Sequence, residues 1–519
     1  MKNKLSLLLS TVILLSSNTF AEKVPNIFTP NTPAKAAEVN ENFDFLVHKS
    51  MGANLVDGEV ELAIDCTTNS AALNEAYAEH VNYRNLNFSI KGNCYGDITV
   101  KRTFDGDSNW EGNSYQVAGQ TISIYPQDGQ VAGLIPNDLS DKVAIWGGFG
   151  GGLYLNDLTI TLSANNWDYG AAFSRNGQGA VNNVTIIGPD TPNGAGIWLQ
   201  EGAQAYILGV DISKVTWGVF AHNNSAVRFL GNTSTISSQS EGVKVLGSSV
   251  RQQAAINVTS AAGAAIDIDG GTNWMGWDHN ITAIGDNIVI QGGSTLVVGS
   301  LAMAGVVNID NSVVRTTTFS SKNLQVTNSE LSLGTATTTT GNTTLNMSTL
   351  NAQSLSTVGF DLWNSSVNIA AGTISAQTNL TQQSFMHAEN ATFSAIKIER
   401  TSTFSGQDLT ILDVTVQDNS LLDLSTATIT RNFSLDSNST GVLEDVTFNG
   451  STFNVNQANA RIMGTTKMPT SKLACYGFSQ IEYEGVSDVL TTVPNSNCLD
   501  QSSITTLMNL IKSNHILPE

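Results

Sequence analysis

The segment 264–280, AAIDIDGGTNWMGWDHN, concentrates side chains that could act on a sugar. Asp267 and Asp269 stand two residues apart, so on a β-strand both project from the same side, about 6.5–7 Å from each other. That separation lies between those typical of retaining and inverting glycoside hydrolases. The pair therefore predicts candidate acid and base groups for cleaving a glycosidic bond.

Other side chains could extend this chemistry. A polysaccharide lyase needs a base near the sugar C5 proton, and the nearby candidates are Lys244, Arg228 and His222, with Lys244 grouped with the two aspartates as catalytic. Calcium, which takes carboxylate oxygens, is possible at the loose grouping of Asp267, Asp269 and Asp278. No Cys/His cluster indicates zinc, and no other cofactor is expected. The competing interpretation is an ordinary turn, because aspartates before Gly-Gly are common turn formers.

The aspartates belong to a repeat. Copies begin at Gly196 (GIWLQEG), Gly218 (GVFAHNN) and Gly242 (GVKVLGS), 22 and 24 residues apart, and a fourth begins at Ala265 (AIDIDGG), a further 23 on. Alternation within each copy indicates a strand with one buried face. The predicted inward side chains are Ile197, Leu199, Val219, Ala221, Val243, Val245, Ile266 and Ile268.

The outward side chains of the repeat form columns when the copies are aligned. One column holds Trp198, Phe220, Lys244 and Asp267, and the next holds Gln200, His222, Leu246 and Asp269. Neighbouring members would lie about 4.8 Å apart. Aromatic faces stack on pyranose rings while polar groups take the hydroxyls, so the columns predict a glycan-binding groove.

The segment 270–280 departs from the repeat and is expected to form an insertion after the aspartate strand. Trp274 and Trp277, with Asp278, would wall the predicted site from this insertion. The alternative is that the columns are a solvated strand face and the tryptophans cover the edge of a coil.

A second repeat occupies the later part of the chain. A serine followed closely by an apolar residue recurs at steps of 17, 19, 17, 19, 18, 18 and 19, at Ser312, Ser329, Ser348, Ser365, Ser384, Ser402, Ser420 and Ser439. Short apolar strands precede many of these serines, whose hydroxyls suit turns because they can bond nearby backbone groups.

Coils of about 18–24 residues predict an all-β parallel solenoid. Thr, Val, Asn, Ser and Gly are poor helix formers, and the regular apolar positions argue against disorder. Stacked coils bury a continuous core, which lets about 500 residues fold as one elongated unit.

Roughly residues 60–460 resemble the right-handed parallel β-helix, or pectin-lyase-like, superfamily. The resemblance rests on coil length, the Gly-Ile/Val strand starts and stretches such as LNDLTITL (155–162) and VNNVTIIG (181–188). The segment SAALNEAYAEH (70–80) is similar to the helix that covers the N-terminal end of many such solenoids. Polygalacturonase motifs do not occur as a set, so the resemblance implies architecture and leaves the activity open.

The first 21 residues have the pattern of a secretory signal peptide, with Lys2 and Lys4 before an apolar run too short to span a membrane. Segment 24–50 is similar to one that follows the signal peptide in secreted gammaproteobacterial proteins. Its heptad-like seam could dock on the solenoid or nucleate a homotrimer, so monomer and homotrimer both stay open. The mature protein is expected to be secreted to the periplasm, the cell surface or the medium, without a transmembrane segment.

Four cysteines fit an oxidising compartment and allow three disulfide connectivities. Closeness in sequence favours Cys66–Cys94 and Cys475–Cys498, one pair near each end, where a solenoid needs a cap. A helix over 502–517 is predicted to complete the C-terminal cap.

The predicted organisation has six parts. They are a signal peptide (1–21), an amphipathic helical segment (22–50), an N-terminal cap with the first coils (51–140), coils of 22–24 residues with loops (141–305), regular 18-residue coils (306–455) and a C-terminal cap (456–519).

The formal net charge is −20, which excludes nucleic acid as a partner because phosphates would be repelled. It also disfavours direct binding of a polyanionic polysaccharide without bridging cations. We therefore predict a non-enzymatic adhesion, matrix or glycan-interaction module, whose partner is an extracellular polysaccharide or cell-surface glycan. The alternative is a polysaccharide lyase or glycoside hydrolase acting in a groove on the β-helix face.

Overall fold

The computed structural model describes residues 56–81, 83–96, 120–136, 145–147, 151–164, 168–467, 473–477, 479–484 and 498–500. The predicted signal peptide, the segment 22–50 and the predicted helix over 502–517 lie outside these residues.

The described chain forms a parallel β-solenoid of about 14 turns, and 66% of it is strand. This confirms the predicted all-β fold class. Each strand pairs in parallel with its equivalent in the next coil, and the abundant Val, Ile and Thr residues favour the extended conformation. The strands of the first coils are β1 (Val56–Asp65), β2 (Tyr83–Tyr95), β3 (Thr121–Pro126), β4 (Ala132–Ile135), β5 (Trp146–Gly147), β6 (Gly152–Asn156), β7 (Thr159–Thr161), β8 (Tyr169–Phe173), β9 (Gln178–Asn182) and β10 (Thr185–Ile187).

The middle coils use three strands each, and the three strands define three faces. The first face comprises β11 (Ala195–Leu199), β14 (Trp217–His222), β17 (Val243–Leu246) and β20 (Ala264–Asp269). The second face comprises β12 (Gln204–Leu208), β15 (Ala226–Leu230), β18 (Ser249–Gln252) and the first part of β21 (Asn273–Ile284). The third face comprises β13 (Asp211–Val215), β16 (Ser234–Ser238), β19 (Ile256–Ser260) and the last part of β21.

In the later coils the second and third strands often fuse into one long strand. The strands are β22 (Asn287–Ile290), β23 (Thr295–Met303), β24 (Val306–Asp310), β25 (Val313–Ser321), β26 (Asn323–Thr327), β27 (Glu330–Thr338), β28 (Thr343–Asn346), β29 (Thr349–Thr357), β30 (Phe360–Trp363), β31 (Ser366–Ile369), β32 (Gly372–Thr381), β33 (Phe385–Glu389), β34 (Ala391–Ile398), β35 (Thr403–Gln407), β36 (Thr410–Val416), β37 (Leu421–Ser425), β38 (Thr428–Asp436), β39 (Thr440–Glu444), β40 (Thr447–Phe448), β41 (Thr452–Asn456), β42 (Asn459–Met463), β43 (Leu473–Tyr476), β44 (Ser479–Glu484) and β45 (Cys498–Asp500).

One continuous apolar core runs through the solenoid from Ile64 to Ile481. All eight inward residues predicted from the first repeat are buried. They stack in register from coil to coil, for example Ile197 on Val219 and Val243 on Ile266. The alternation of the sequence therefore identified the buried face correctly.

The recurring serines form a buried ladder along the turn between the first and second faces. The Ser312 amide donates to the hydroxyl of Ser329 at 3.0 Å, and the Ser329 amide donates to that of Ser348 at 3.2 Å. Each of these two hydroxyls donates to a carbonyl two residues earlier in its own coil. The same amide-to-hydroxyl bond repeats through Ser420, so the predicted turn role of the serines is confirmed.

The N-terminal end carries the expected cap. Helix α1 (Ala72–His80) buries Leu73 and Tyr77 against β1 and β2, and the predicted Cys66–Cys94 disulfide is present. Cys475 is buried and disulfide-bonded, while the side chain of Cys498 lies outside the described residues, so that pairing stays a prediction. Within the described ranges, no helix is both long and apolar enough to cross a membrane.

Candidate functional site

The predicted outward column exists on the first face. Trp198 lies opposite Phe220, Phe220 opposite Lys244, and Lys244 opposite Asp267. The strand alternation that buries the isoleucine and valine neighbours directs these four side chains outward. The repeat alignment therefore gave the correct register.

The aromatic end of the column packs largely against itself. The Trp198 ring centroid lies 4.6 Å from that of Phe220, 4.9 Å from Tyr169, 5.3 Å from His222 and 5.7 Å from Trp217. Phe220 is only 7% exposed. These edge-on and tilted contacts are favourable in themselves, and they leave Phe220 almost no free ring face to offer a sugar.

The charged end of the column is an ion triad. The Lys244 ammonium lies 3.1 Å from Glu241 and 3.2 Å from Asp267. Burial raises the pKa of the Asp267 carboxyl despite the neighbouring ammonium. Hydrogen bonds from Ser240 and Lys244 outweigh burial and lower the pKa of Glu241. The two carboxyl groups on one lysine therefore differ in acidity, and the sequence reasoning missed Glu241, which precedes the third repeat by one residue.

Asp269 and His222 lie in the second predicted column, both in register with Leu246. Asp269 accepts hydrogen bonds from the Gly270 amide and the Gln291 side chain, as a turn-forming aspartate does. His222 stacks on Phe220, and burial lowers its pKa. The buried Nε2 of His222 and Oδ1 of Asp267 have no hydrogen-bond partner in the described structure.

The prediction that Trp274 binds a ligand is wrong. Its side chain is completely buried, stacks on Phe229 with ring centroids 6.2 Å apart, and donates its indole N–H to Gln252 at 3.0 Å. Trp274 pairs with Val250 and Leu296 in the neighbouring coils. It occupies an inward position of β21, where a large side chain fills the core.

The predicted insertion over 270–280 is also wrong, because β21 continues the coil through this segment. Only a bulge interrupts the pairing: Gly276 pairs with Val298 and Asn280 with Ser300, so three residues of β21 oppose the single Gly299. The bulge projects Trp277 and Asp278 at the corner between the second and third faces. Since Asp267 lies on the first face, the structure separates these two residues from it.

Two open grooves adjoin along the second face, and Trp277 and Asp278 line both of them. The first groove has a volume of about 550 Å³, and its outward-facing lining includes Arg228, Arg251, Asn273, Met275 and His279. The second groove has a volume of about 600 Å³, and its lining includes Arg315, Ser332, Asn351, Gln353 and Asn368. Trp277 is 67% exposed, so its indole forms a ridge between the grooves.

The structure brings together a different set of residues from the predicted one. Arg228, a predicted candidate for the lyase base beside Asp267, instead lies on the second face, in the first groove. The sequence reasoning missed Arg251, although the alternation of SSVRQ gives its outward direction. Among the described residues, no three or more His, Cys, Asp or Glu side chains are placed to hold a metal ion, so Asp267, Asp269 and Asp278 do not come together as one group of ligands.

No protein-family model, curated protein or solved structure matches this chain. The coil geometry by itself defines the class, a parallel β-solenoid with one continuous core. A fold does not by itself imply a function, so the candidate sites of this solenoid are its grooves and its outward column.

Proposed function

We propose that this protein is a secreted, non-enzymatic β-helix that binds a polysaccharide along the first and second grooves. The exposed indole of Trp277 at their junction carries the proposal. An indole presents a large apolar face that stacks on a pyranose ring at a low cost in side-chain entropy.

The second groove supplies groups that suit sugar hydroxyls. Ser332, Asn351 and Asn368 lie opposite one another on β27, β29 and β31. Amide and hydroxyl side chains both donate and accept hydrogen bonds. Their spacing of about 4.8 Å along the axis would offer an extended chain a polar contact at every coil.

Among the described residues that line the grooves, there is no pair of carboxyl groups of the kind that most glycoside hydrolases need. Asp278 is the single carboxylate among the residues that line them. A groove with an aromatic ridge, neutral polar walls and one carboxylate supports retention of a glycan more than its cleavage.

Binding to a panel of neutral and uronate polysaccharides, measured by affinity electrophoresis and calorimetry, tests the proposal. Trp277→Ala should weaken binding at least tenfold, or about 1.4 kcal/mol. Trp363→Ala is the matched control, since Trp363 is 53% exposed and lines neither groove. Equal affinities of the two variants, or no binding to any polysaccharide, would overturn the proposal.

The ion triad on the first face favours a second candidate, hydrolysis or lyase cleavage near Asp267. The pKa of Asp267 is raised and that of the neighbouring Glu241 is lowered. Such a difference between two carboxyl groups is how a general acid and a general base are distinguished in many active sites. Release of reducing ends, or absorbance near 235 nm from an unsaturated product, would support this candidate if Asp267→Asn abolished it. Turnover unaffected by Asp267→Asn would exclude this site.

A further inference from the structure

Two arginines face each other in the first groove of a strongly acidic protein. Arg228 on β15 lies directly opposite Arg251 on β18. Across the strand pairs that the structure describes, this is the one place where a cation opposes a cation. Like charges in this position are destabilising, because both side chains start from directly opposite residues of adjacent strands.

Neither arginine is neutralised within the described structure. The salt bridges found there involve other cations, and Asp278, at the ridge of the same groove, forms no ion pair with Arg228 or Arg251. By contrast, Arg315 in the second groove has a carboxylate neighbour, Glu330, at 3.5 Å. Of the two grooves, only the first therefore carries arginines without an ion pair among the described residues.

Tyr206 positions one of the two guanidinium groups. Nη1 of Arg228 donates to the Tyr206 hydroxyl at 3.3 Å, and the guanidinium carbon lies 5.2 Å from the centre of the Tyr206 ring. This contact orients Arg228 without neutralising it. A guanidinium held in place loses less entropy when it binds an anion.

We infer that the first groove binds an acidic substituent, a carboxylate or a sulfate, of the glycan, and that the second groove binds neutral sugars. Guanidinium groups recognise both anions through paired N–H donors. The described lining of the second groove, rich in amides and hydroxyls, contains no comparable pair of arginines. The ligand class is therefore an acidic heteropolysaccharide that carries charge on only some of its sugars, and this inference rests on the proposed function.

This assignment reverses the expectation drawn from the net charge. The charge of −20 repels polyanions at long range, but that repulsion is largely screened beyond about 8 Å at physiological salt. Contact with Arg228 and Arg251 is governed by the local charge. A chain with a high uniform charge should be rejected, whereas one with spaced acidic groups should bind.

The test compares an alternating uronate–N-acetylhexosamine chain, the same chain after carboxyl reduction, the reduced chain with one sulfate added per disaccharide, and a neutral glucan. Carboxyl reduction should weaken binding at least tenfold, and the double substitution Arg228→Gln/Arg251→Gln should abolish that difference. Arg315→Gln is the control and should preserve it. Preference for the sulfated chain over the uronate chain would identify sulfate as the recognised anion.

Thermal unfolding without glycan provides an independent readout. Arg251→Gln should raise the melting temperature of the free protein, because it removes a like charge in register with Arg228 on the adjacent strand. A purely structural role for Arg251 predicts a lower melting temperature. If glycan binding requires Trp277 but its affinity is unchanged by carboxyl reduction and by the double substitution, this inference is overturned and the proposed function stands. If binding does not depend on Trp277, both are overturned.

Discussion

Replacing one serine of the buried ladder should destabilise the solenoid by a predictable amount. The Ser348 hydroxyl is buried, accepts the Ser329 amide at 3.2 Å and donates to the Asn346 carbonyl at 2.7 Å. Ser348→Ala removes both bonds and leaves a buried amide without an acceptor. An unsatisfied buried donor costs about 1–3 kcal/mol, so we expect the free energy of unfolding to fall by about that amount.

Two further variants separate the hydroxyl from other effects. Ser356→Ala is the matched control, because Ser356 is exposed on β29 of the same coil, and it should change stability by less than about 0.5 kcal/mol. Ser348→Thr keeps the hydroxyl and should retain most of the stability. The chain itself uses threonine this way at Thr272, whose hydroxyl accepts the Ser248 amide at 3.4 Å.

Denaturant unfolding measures the total change in the free energy of unfolding, and amide hydrogen exchange shows which coils are destabilised. Because each coil contacts only its neighbours, exchange of the Ser329 amide should accelerate much more than that of amides several coils away. Equal stability of Ser348→Ala and Ser356→Ala, with unchanged exchange at Ser329, would refute the role assigned to the ladder.

Three other perturbations have defined outcomes. Trp274→Ala should lower the free energy of unfolding by about 3–5 kcal/mol in denaturant titrations, as expected for truncating a fully buried tryptophan. An equal decrease from Trp277→Ala would contradict the assignment of Trp274 to the core and Trp277 to the surface. Reduction of Cys66–Cys94, which are 28 residues apart, should cost about 3–4 kcal/mol by the loop-entropy relation, with alkylated protein compared by thermal unfolding. Burial raises the pKa of Asp267 above 3.8, so just above pH 3.8 the native state keeps a proton that the unfolded chain has lost, and the free energy of unfolding should fall as pH rises through the native pKa. Asp267→Asn should remove this fall from a pH series of denaturation curves, and an unchanged series would contradict the assignment.

The sequence predicted the coils because their signals are local and repeated. Alternation decided which side of each strand is buried, and the Gly-Ile/Val starts fixed the register that places Lys244 against Asp267. The near-constant serine step followed from the geometry of one turn repeated in every coil. Because every coil repeats the same pattern, an ambiguous residue in one coil is outweighed by its equivalents in the others. The predicted fold class therefore did not depend on any single residue.

The tryptophan assignments failed because they depended on one coil. Trp274 and Trp277 are three residues apart in a segment whose match to the repeat is weak, and only the pairing of β21 with β18 and β23 shows which one points inward. The bulge that projects Trp277 arises from the shorter coil that follows, where Gly299 opposes three residues. Sequence spacing within one coil carries no information about that mismatch.

The sequence by itself thus determined the solenoid, its buried face and the outward column, since all of these follow from side-chain alternation and a fixed coil length. Only the tertiary structure decided which outward residues share a groove. Arg228, Arg251 and Trp277 come from three successive coils and meet on the second face, while Asp267 faces away from them on the first. A groove is a property of neighbouring coils and their corners, and its composition is fixed only when the register and the bulges of all the coils are set.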